Sequence, residues 1–473
     1  MGTISSAFSL MSQALDADQS ALNIVANNVA NANTKGYTKE TPTWQENSPI
    51  EINGSSYGTG VSETGATSVR DPVLTERLDQ QQQLASASGS RLSALNTVQA
   101  LFTPDSGASG ATAGDIGSDI TSLFTSFAAL EANPGVDASR QSVLSSASTL
   151  AGDVSNAAAS LNAQRTALDQ EASGVTSQVN AITSNIAQLN LQIQSASPTA
   201  DAGTLEDQRQ QDLSQLSQLI GINQIVTENN GLSITTTAGQ LLVSEGSSYR
   251  LTSGSVDGET HFFVGSTDVT QQLADGGGQL GGYLTGRDAD IPGVLSSLDQ
   301  LAYSVSTQLN SLNNAGTDLN GNSGTAANPL DIFNEPTAVA GSAAIMSVVM
   351  SDPNDIAAAG AGQGTGDNSN ATAMAGLQTQ TIVNGQTPSG YYSNFVTTLG
   401  SLVSSVQTDN TAQNASVTQL QTQNDALSSV NLNDEASSMT TLERSYQAAS
   451  QVFSMLNTII GSALNLGQQT TVA

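Results

Sequence analysis

The side chains best suited to catalysis or metal binding are few in this chain and lie far apart. His261 is the only histidine, and there is no cysteine. A transition-metal site would therefore need several carboxylates gathered around one imidazole, and a Ser-His-Asp triad would also have to use His261. His261 stands in ETHFFVG, a strand-like setting beside Glu259. We interpret it as an ordinary strand histidine.

Two asparagine-rich segments resemble the beginning of a calcium-binding loop. In DLNGNSG, Asp318, Asn320 and Asn322 occupy alternate positions. However, Ser323 stands where an EF-hand loop requires glycine, and the bidentate glutamate is missing. The segment GDNSNAT at 366–372 has the same shortcoming. We interpret both segments as turn-rich loops, and we expect no metal and no cofactor.

Adjacent carboxylates offer no better prospect for acid–base chemistry. Glu206 and Asp207, and likewise Asp434 and Glu435, lie on or near expected helices. A solvated face or a favourable position in a first helical turn explains such pairs. No phosphate-binding loop, dinucleotide motif or G-x-S-x-G elbow is present in the sequence. The sequence thus predicts a protein that is not an enzyme and has no catalytic residues.

Length and charge restrict the possible partners. The 473 residues leave room for two to four domains. Eleven basic residues against a net charge of -30 cannot form the cationic surface that nucleic acid or an anionic membrane requires. No apolar run is long enough to span a membrane, and the first residues do not have the pattern of a cleavable signal peptide. We therefore expect no nucleic acid and no membrane as partners.

An apolar position recurs every three or four residues near both ends of the chain. Near the start the repeat, interrupted by Asp18, consists of Ile4, Phe8, Met11, Leu15, Leu22, Val25 and Val29. Near the end it consists of Met439, Leu442, Tyr446, Ala449, Phe453, Leu456 and Ile460. Such spacing predicts helices with a coiled-coil seam. Because neither helix can bury its seam alone, we expect the two to pack together in one module.

The segment ANNVANANTKGYTKE at 26–40 ends the first helix and contains the only two lysines, Lys35 and Lys39. Asparagine and glycine accept left-handed backbone conformations, so Gly36 is expected in a cap or turn.

The interior alternates between helical and strand-like patterns. A heptad ladder runs from Leu168 to Ile193, another begins at Leu399, and shorter helical signals lie at 73–101, 118–131, 137–161 and 291–313. We expect a mainly α fold with β inserts, in which nested terminal coiled-coil helices form one module and a long helical bundle forms another. The expected boundaries are 1–60 with 431–473 for the terminal module, 61–220 with 286–313 and 391–430 for the bundle, 221–285 for a small β domain, and 314–390 for a loop-rich extension or a second β insert.

Motifs at both ends resemble those of the bacterial flagellar rod, hook and hook-associated protein family. The N-terminal motif corresponds here to Ala26, Asn27, Asn28, Ala30, Asn31, Thr34, Gly36 and Tyr37. The C-terminal motif is similar to 431–467, with Asn431-Leu432, Ser445 to Ala448, and Leu464 to Leu466. Three internal stretches, 230–246, 277–316 and 351–379, resemble the members of this family at the hook–filament junction.

The resemblance implies a structural ring between hook and filament, required for filament assembly and exported to the cell exterior. It implies a homo-oligomer with hook protein on one side, the second hook–filament junction protein on the other, and a cytoplasmic export chaperone at the C-terminal helix. The terminal segments would become ordered on assembly. Two alternatives remain: another axial protein, such as hook protein or a flagellin-like protein, and a cell-surface adhesin or hydrolase carried on a flagellar scaffold.

The resemblance also suggests a role for the asparagine-rich corner. Its asparagines would bond backbone groups left free at the turn, and Tyr37 would anchor that turn. Lys35 and Lys39 would meet acidic groups of adjacent subunits. The alternative is a solvent-exposed capped loop.

Overall fold

Long helices dominate the computed structural model, which describes residues 2–52, 54–103, 115–196 and 201–468. The helices in chain order are α1 (Gly2–Asn31), α2 (Pro72–Ala100), α3 (Ile116–Ala132), α4 (Asp137–Ala196), α5 (Thr204–Leu219), α6 (Thr270–Gly276), α7 (Gly278–Thr285), α8 (Ile291–Ala315), α9 (Ser342–Ile345), α10 (Ser369–Gly376), α11 (Pro388–Ser428) and α12 (Leu432–Gln468). The expected mainly α fold with β inserts is confirmed.

Helix α4 is one continuous helix of 60 residues, about 90 Å long at 1.5 Å per residue. The sequence patterns indicated a helix at 137–161 and a separate ladder from Leu168, and the structure joins them. No glycine or proline stands between Leu161 and Leu168 to end the helix. Apolar side chains keep one face buried on both sides of this stretch, so the two patterns are one seam.

The bundle core lies between α2, α3, α4, α8 and α11. Buried apolar residues of these helices form a single contiguous cluster. Phe102, just beyond α2, meets Phe395 of α11 edge-on with ring centroids 5.0 Å apart. Asp71 begins α2 by accepting hydrogen bonds from the backbone N–H groups of Val73 and Leu74. The core includes the end of α2 from Ala94 onward and the first half of α11 up to Val406.

Four strands follow α1 where the sequence interpretation expected none. They are β1 (Glu40–Glu46), β2 (Ile50–Ile52), β3 (Ser55–Tyr57) and β4 (Val61–Ser68). Strands β1 and β4 pair antiparallel from Glu40 opposite Ser68 to Glu46 opposite Val61, with a bulge between Thr43 and Trp44. Their sequences are polar and largely exposed, so no apolar alternation marks them.

Two small antiparallel sheets occupy the expected β region. The first has the order β5 (Ile222–Val226), β6 (Leu232–Thr236), β7 (Leu241–Ser244), β8 (Ser247–Ser248), and the second has the order β11 (Thr267–Asp268), β10 (Glu259–Val264), β9 (Leu251–Val256). Their apolar residues share a core with α4, α5 and α7. From Thr270 the chain is helical, so the strands end before the expected boundary at 285.

The segment between α8 and α11 is mostly loop. It contains α9, α10 and a 3₁₀ turn, and isolated bridges such as Phe333 to Val348 replace regular strands in its described residues. Asn310 of α8 holds it by accepting from the N–H groups of Ile332 and Phe333, both at 3.0 Å. Buried apolar residues of this segment join the bundle core. The segment thus consists of loops, short helices and isolated bridges.

None of the helices in the described parts of the chain has an apolar stretch of the length needed to cross a bilayer.

The stability of the bundle should fall as pH rises, because a carboxyl pair lies between α3 and α4. Burial and the neighbouring carboxyl of Asp153 raise the pKa of Asp119 to about 7, whereas an unfolded aspartate titrates near 3.9. The folded chain therefore keeps a proton that the unfolded chain releases. The resulting stabilisation is complete below about pH 4 and disappears as pH rises through about 7.

We expect the thermal unfolding midpoint of Asp119→Asn to change less between pH 5 and pH 8.5 than that of the parent chain. Circular dichroism on heating measures it. Asp257→Asn, at an exposed turn with φ of 52° that asparagine also adopts, is the matched control. Identical pH profiles for the parent and Asp119→Asn would contradict this explanation.

Candidate assembly interface

The first and last helices lie side by side and run in opposite directions. The ring of Phe8 in α1 packs on the ring of Phe453 in α12, with centroids 4.3 Å apart. Near the other end of the pair, the side chain of Asn28 in α1 donates to Glu435 of α12 at 3.1 Å. These two contacts fix the register of the helix pair.

Helix α12 buries one narrow face. Its half-buried positions between 436 and 460 are Met439, Leu442, Tyr446, Ala449, Phe453, Leu456 and Ile460, the positions at which the sequence placed the seam. All other positions in this range are exposed. At the head of the row, Glu435 is only 2% exposed. Helix α12 therefore uses a single stripe against α1 and leaves the rest of its surface open.

Helix α1 buries two neighbouring faces. Of its expected seam residues, Phe8, Met11, Leu15 and Leu22 are half-buried, Val25 is buried, Val29 is exposed, and the side chain of Ile4 lies outside the described residues. Ala17 and Ala21 are fully buried, in a row that the sequence interpretation did not select. They lie about 100° around the helix from the seam, toward the side on which Ser20 contacts Glu63 of β4. Alanine is only weakly hydrophobic, so it does not mark a buried helix face in the sequence. The burial of Ala17 and Ala21 depends on the strands that the sequence did not predict.

Asn28 is the centre of the corner between these helices. It is 1% exposed, and its amide nitrogen donates to the carbonyl of Glu40 at 2.8 Å and to the carboxylate of Glu435 at 3.1 Å. Its amide oxygen accepts from the Tyr37 hydroxyl at 2.8 Å and from the backbone N–H of Glu40 at 3.0 Å. One neutral side chain thus joins α1, α12, the turn and the first strand.

The carboxylate of Glu435 is buried and has a cationic partner from the same chain. The Lys39 Nζ atom lies 2.7 Å from Glu435 Oε1. We expected Lys39 to meet an acidic group of a neighbouring subunit, and the contact within the chain corrects that expectation. Asp434 and Glu435 lie in the first turn of α12, one of the two positions expected for them. The expectation of a solvated face is corrected for Glu435 alone, because its carboxylate lies inward to receive Asn28 and Lys39.

The turn between α1 and β1 contains the remaining motif residues. Asn31 donates to the side chain of Asn27 at 2.9 Å, and the backbone N–H of Thr34 donates to the carbonyl of Asn31 at 2.8 Å. Gly36 has a φ of +80°, which favours glycine. Ala26 and Ala30 are exposed on α1.

Tyr37 anchors this turn to α1 through its hydroxyl group. Besides donating to Asn28, the hydroxyl lies 3.3 Å from the amide nitrogen of Asn27. Burial, followed by the charges of Glu40, Asp207 and Glu435, raises the pKa of Tyr37 to about 12. The hydroxyl therefore stays protonated and remains a donor.

The corner is also fastened to the bundle. The backbone N–H of Thr38 donates to Asp207 of α5 at 2.9 Å, and Arg70 makes ion pairs with Glu206 at 2.5 Å and Asp207 at 2.7 Å. Glu206 and Asp207 lie in the first turn of α5, as expected for one of the two explanations. The other explanation, a solvated face, is corrected, since both carboxylates bind Arg70. Sequence spacing gave no signal for Arg70, which is separated from its partners by more than one hundred residues.

His261 lies outside this corner, on β10. Its Nδ1 atom is 2.6 Å from the carboxylate of Asp268 on β11. Among the described residues, no cluster of three or more histidine or carboxylate side chains could hold a metal ion. Asp318 instead accepts from the backbone N–H groups of Asn320 and Asn322 in its own loop. The asparagine-rich corner is the more densely bonded candidate for function.

Replacing Asn28 with alanine should loosen the end helices from each other. The substitution removes the partner of the Glu40 backbone groups and one partner of Glu435, and each buried polar group left unsatisfied costs about 1–3 kcal/mol. We expect amides of 20–31 and 435–445 to exchange hydrogen at least about tenfold faster, as measured by mass spectrometry. Asn27→Ala, one residue earlier and exposed, is the control. Equal exchange in the two variants would contradict the central role of Asn28.

Comparison with known proteins gives two family matches and several relatives. Residues 105–327 match the family model described as the flagellar hook-associated protein FlgK helical domain, and residues 11–38 match that of the flagella basal body rod protein. Flagellar hook-associated protein 1 of Escherichia coli K12 is 27% identical over 66% of this chain, and the chain spans 57% of that relative's length.

There are two further matches. One extends over nearly the whole chain, and the other is to a solved structure. Flagellar hook-associated protein 1 of Bacillus subtilis 168 is 26% identical over 96% of each chain. The structure of the flagellar hook junction protein FlgK from Burkholderia pseudomallei has a TM-score of 0.65 and 18% identity, and it covers 74% of this chain and 99% of that one. At this identity the structural likeness concerns the fold alone. The matches confirm the resemblance indicated by the motifs: the chain is similar to flagellar hook-associated protein 1.

Proposed function

We propose that the chain is a structural subunit of the bacterial flagellum that forms the junction ring between hook and filament and is required for filament assembly. The observation that carries this proposal is the pair of terminal helices, which are joined through Asn28 and Glu435 and of which α12 is exposed outside its seam. The names of the relatives support the place in the flagellum.

The exposure of α12 supports a role in assembly. A helix of 37 residues whose contact face is only half-buried gains little stability from α1 alone. Further burial by other subunits would supply the missing stabilisation and would offset the loss of conformational entropy when the ends become ordered. This is the behaviour expected of a chain that is exported unfolded and then assembled.

The proposal includes specific partners. Copies of the chain would form a ring with hook protein on one side and the second hook–filament junction protein on the other, at the cell exterior. Before export, a cytoplasmic chaperone would bind the C-terminal helix and cover its apolar stripe. Neither nucleic acid nor a membrane is a proposed partner.

Glu435→Ala should remove the chain from flagella without unfolding the bundle. It deletes the buried carboxylate that binds Asn28 and Lys39 and so separates the two end helices. In a flagellated strain that lacks its own copy, we expect loss of filaments and of swimming, while circular dichroism of the purified variant keeps its helical signal. Glu443→Ala, at an exposed position of the same helix, should swim normally. Normal filaments with Glu435→Ala would contradict the proposal.

Limited proteolysis of the monomer should trim both ends before the bundle. Helix α12 has a single fully buried position in its described part, whereas the α2, α3 and α4 faces form a continuous core. With a protease of broad specificity, we expect early fragments that lack about 30–60 residues at each end and a resistant core, identified by mass spectrometry. A chain that resists cleavage throughout would favour a self-contained surface protein.

The alternative within the same class is another axial protein, such as hook protein or a flagellin-like protein, and the match of 105–327 to the FlgK helical domain disfavours it. The alternative from a different class is a surface adhesin or hydrolase on a flagellar scaffold. Turnover of peptidoglycan or peptide substrates by the purified chain would favour the hydrolase.

A further inference from the structure

Each of the two end helices has a long uncharged segment, although the chain as a whole is strongly acidic. No charged residue occurs in 2–15 of α1 or in 445–468 of α12, although the net charge of the chain is -30. Copies with this charge repel one another over most of their surface. Uncharged segments are therefore where a second copy can approach at least electrostatic cost.

The uncharged part of α1 forms one side of an open groove. The cavity, of about 460 Å³, lies between α1 and the β2–β3 hairpin. Leu10 of α1 and the cross-strand pair Ile50 and Tyr57 contribute its apolar surface. Ile50 is 41% exposed and Tyr57 is 52% exposed. Ser9, Gln13 and Thr59 also line the groove, so its apolar surface has a polar border and is open within the single chain.

The uncharged part of α12 has a second apolar stripe beside its seam. Val452, Met455 and Ile459 are 38%, 57% and 52% exposed. Each precedes a seam residue by one position, so the stripe lies about 100° around the helix from the face that contacts α1. The seam contact with α1 therefore leaves this stripe available.

The groove and the stripe lie at the same level of the helix pair. Phe8, within the α1 segment that lines the groove, stacks on Phe453, within the α12 segment that bears the stripe. A neighbouring copy at the same axial height would consequently present its stripe at the height of the groove. Since groove and stripe are different surfaces, their contact is heterologous and can repeat around a ring.

We infer that the α12 stripe of one copy docks in the groove between α1 and the β2–β3 hairpin of the next copy. The occupant of the groove is thus a second copy of this chain, and the contact buries Met455 against Tyr57. This inference rests on the proposed function, because it assigns the residues by which neighbouring subunits of the ring meet.

Cysteine cross-linking tests the inference in assembled flagella, and the absence of natural cysteines makes the result unambiguous. A chain with both Tyr57→Cys and Met455→Cys, expressed in a strain without its own copy, should give dimers and higher multimers after mild oxidation of isolated flagella. Each single variant should give none, since the contact joins different surfaces. Tyr57→Cys combined with Ser454→Cys, an exposed position off the stripe, is the matched control and should give at least about tenfold less cross-linked chain.

The outcomes separate the inference from the proposed function. Flagella that contain the double variant but give no cross-link above the Ser454 control would overturn the docking and leave the proposed function standing. Dimers from Met455→Cys alone would also overturn it, because they indicate a symmetric contact. Absence of the unmodified chain from flagella would overturn the proposed function and the docking with it.

A substitution that places a charge on the α12 stripe tests the docking independently. Met455→Glu should reduce the amount of chain in flagella at least about tenfold, because the carboxylate would be buried without a partner in the groove. Ser454→Glu adds the same charge beside the stripe and should be incorporated normally. Equal incorporation of the two variants would contradict the docking.

Discussion

The arrangement of the chain ends depends on one buried carboxylate. Glu435 is almost completely withdrawn from solvent, and an ionised carboxylate in that position needs a cation and hydrogen-bond donors. Lys39 supplies the cation and Asn28 supplies a donor. Because these partners come from the two sides of one turn, satisfying Glu435 also fixes how the chain leaves α1 and enters β1.

Asparagine suits this position because its side chain both donates and accepts. Asn28 bonds the carbonyl and the N–H of the same residue, Glu40, as a neighbouring strand would, while it still reaches Glu435. An aspartate would lack the donors and would place a second negative charge beside Glu435. A leucine would remove this partner from the backbone groups of Glu40 and would leave Glu435 with Lys39 alone. The same chemistry explains why Lys39 stands next to a corner that is rich in asparagine.

The sequence predicted the parts of this fold that depend on local periodicity. The seam of α12 is visible because one helix face is apolar at every third or fourth residue, and α2, α3 and α8 followed from the same kind of signal. The β1–β4 strands and the buried row of Ala17 and Ala21 were missed because they depend on each other: polar strands become strands by covering small residues of α1. Arg70 and Glu435 were missed because their partners are distant in sequence, and residue type alone does not distinguish a solvated charge from a paired one.

Asn28 and Glu435 are 407 residues apart in the sequence. The conformational entropy lost when they meet is smaller than the closure of a loop of that length would cost. Helices α2 and α11 pack antiparallel, as the contacts of Gln81 with Gln413 and of Ser88 with Asn410 show. Their pairing brings the start of α2 close to the end of α11, and the backbone N–H of Lys39 then reaches the carbonyl of Ser428 at 2.9 Å. Once the bundle has formed, only the 43 residues between Asn28 and α2 and the six between α11 and Glu435 must be closed, and closure entropy grows with the logarithm of their length. The bundle therefore positions the ends at little cost, and the strength of the end-helix pair is decided by its seam and by whatever covers its open faces.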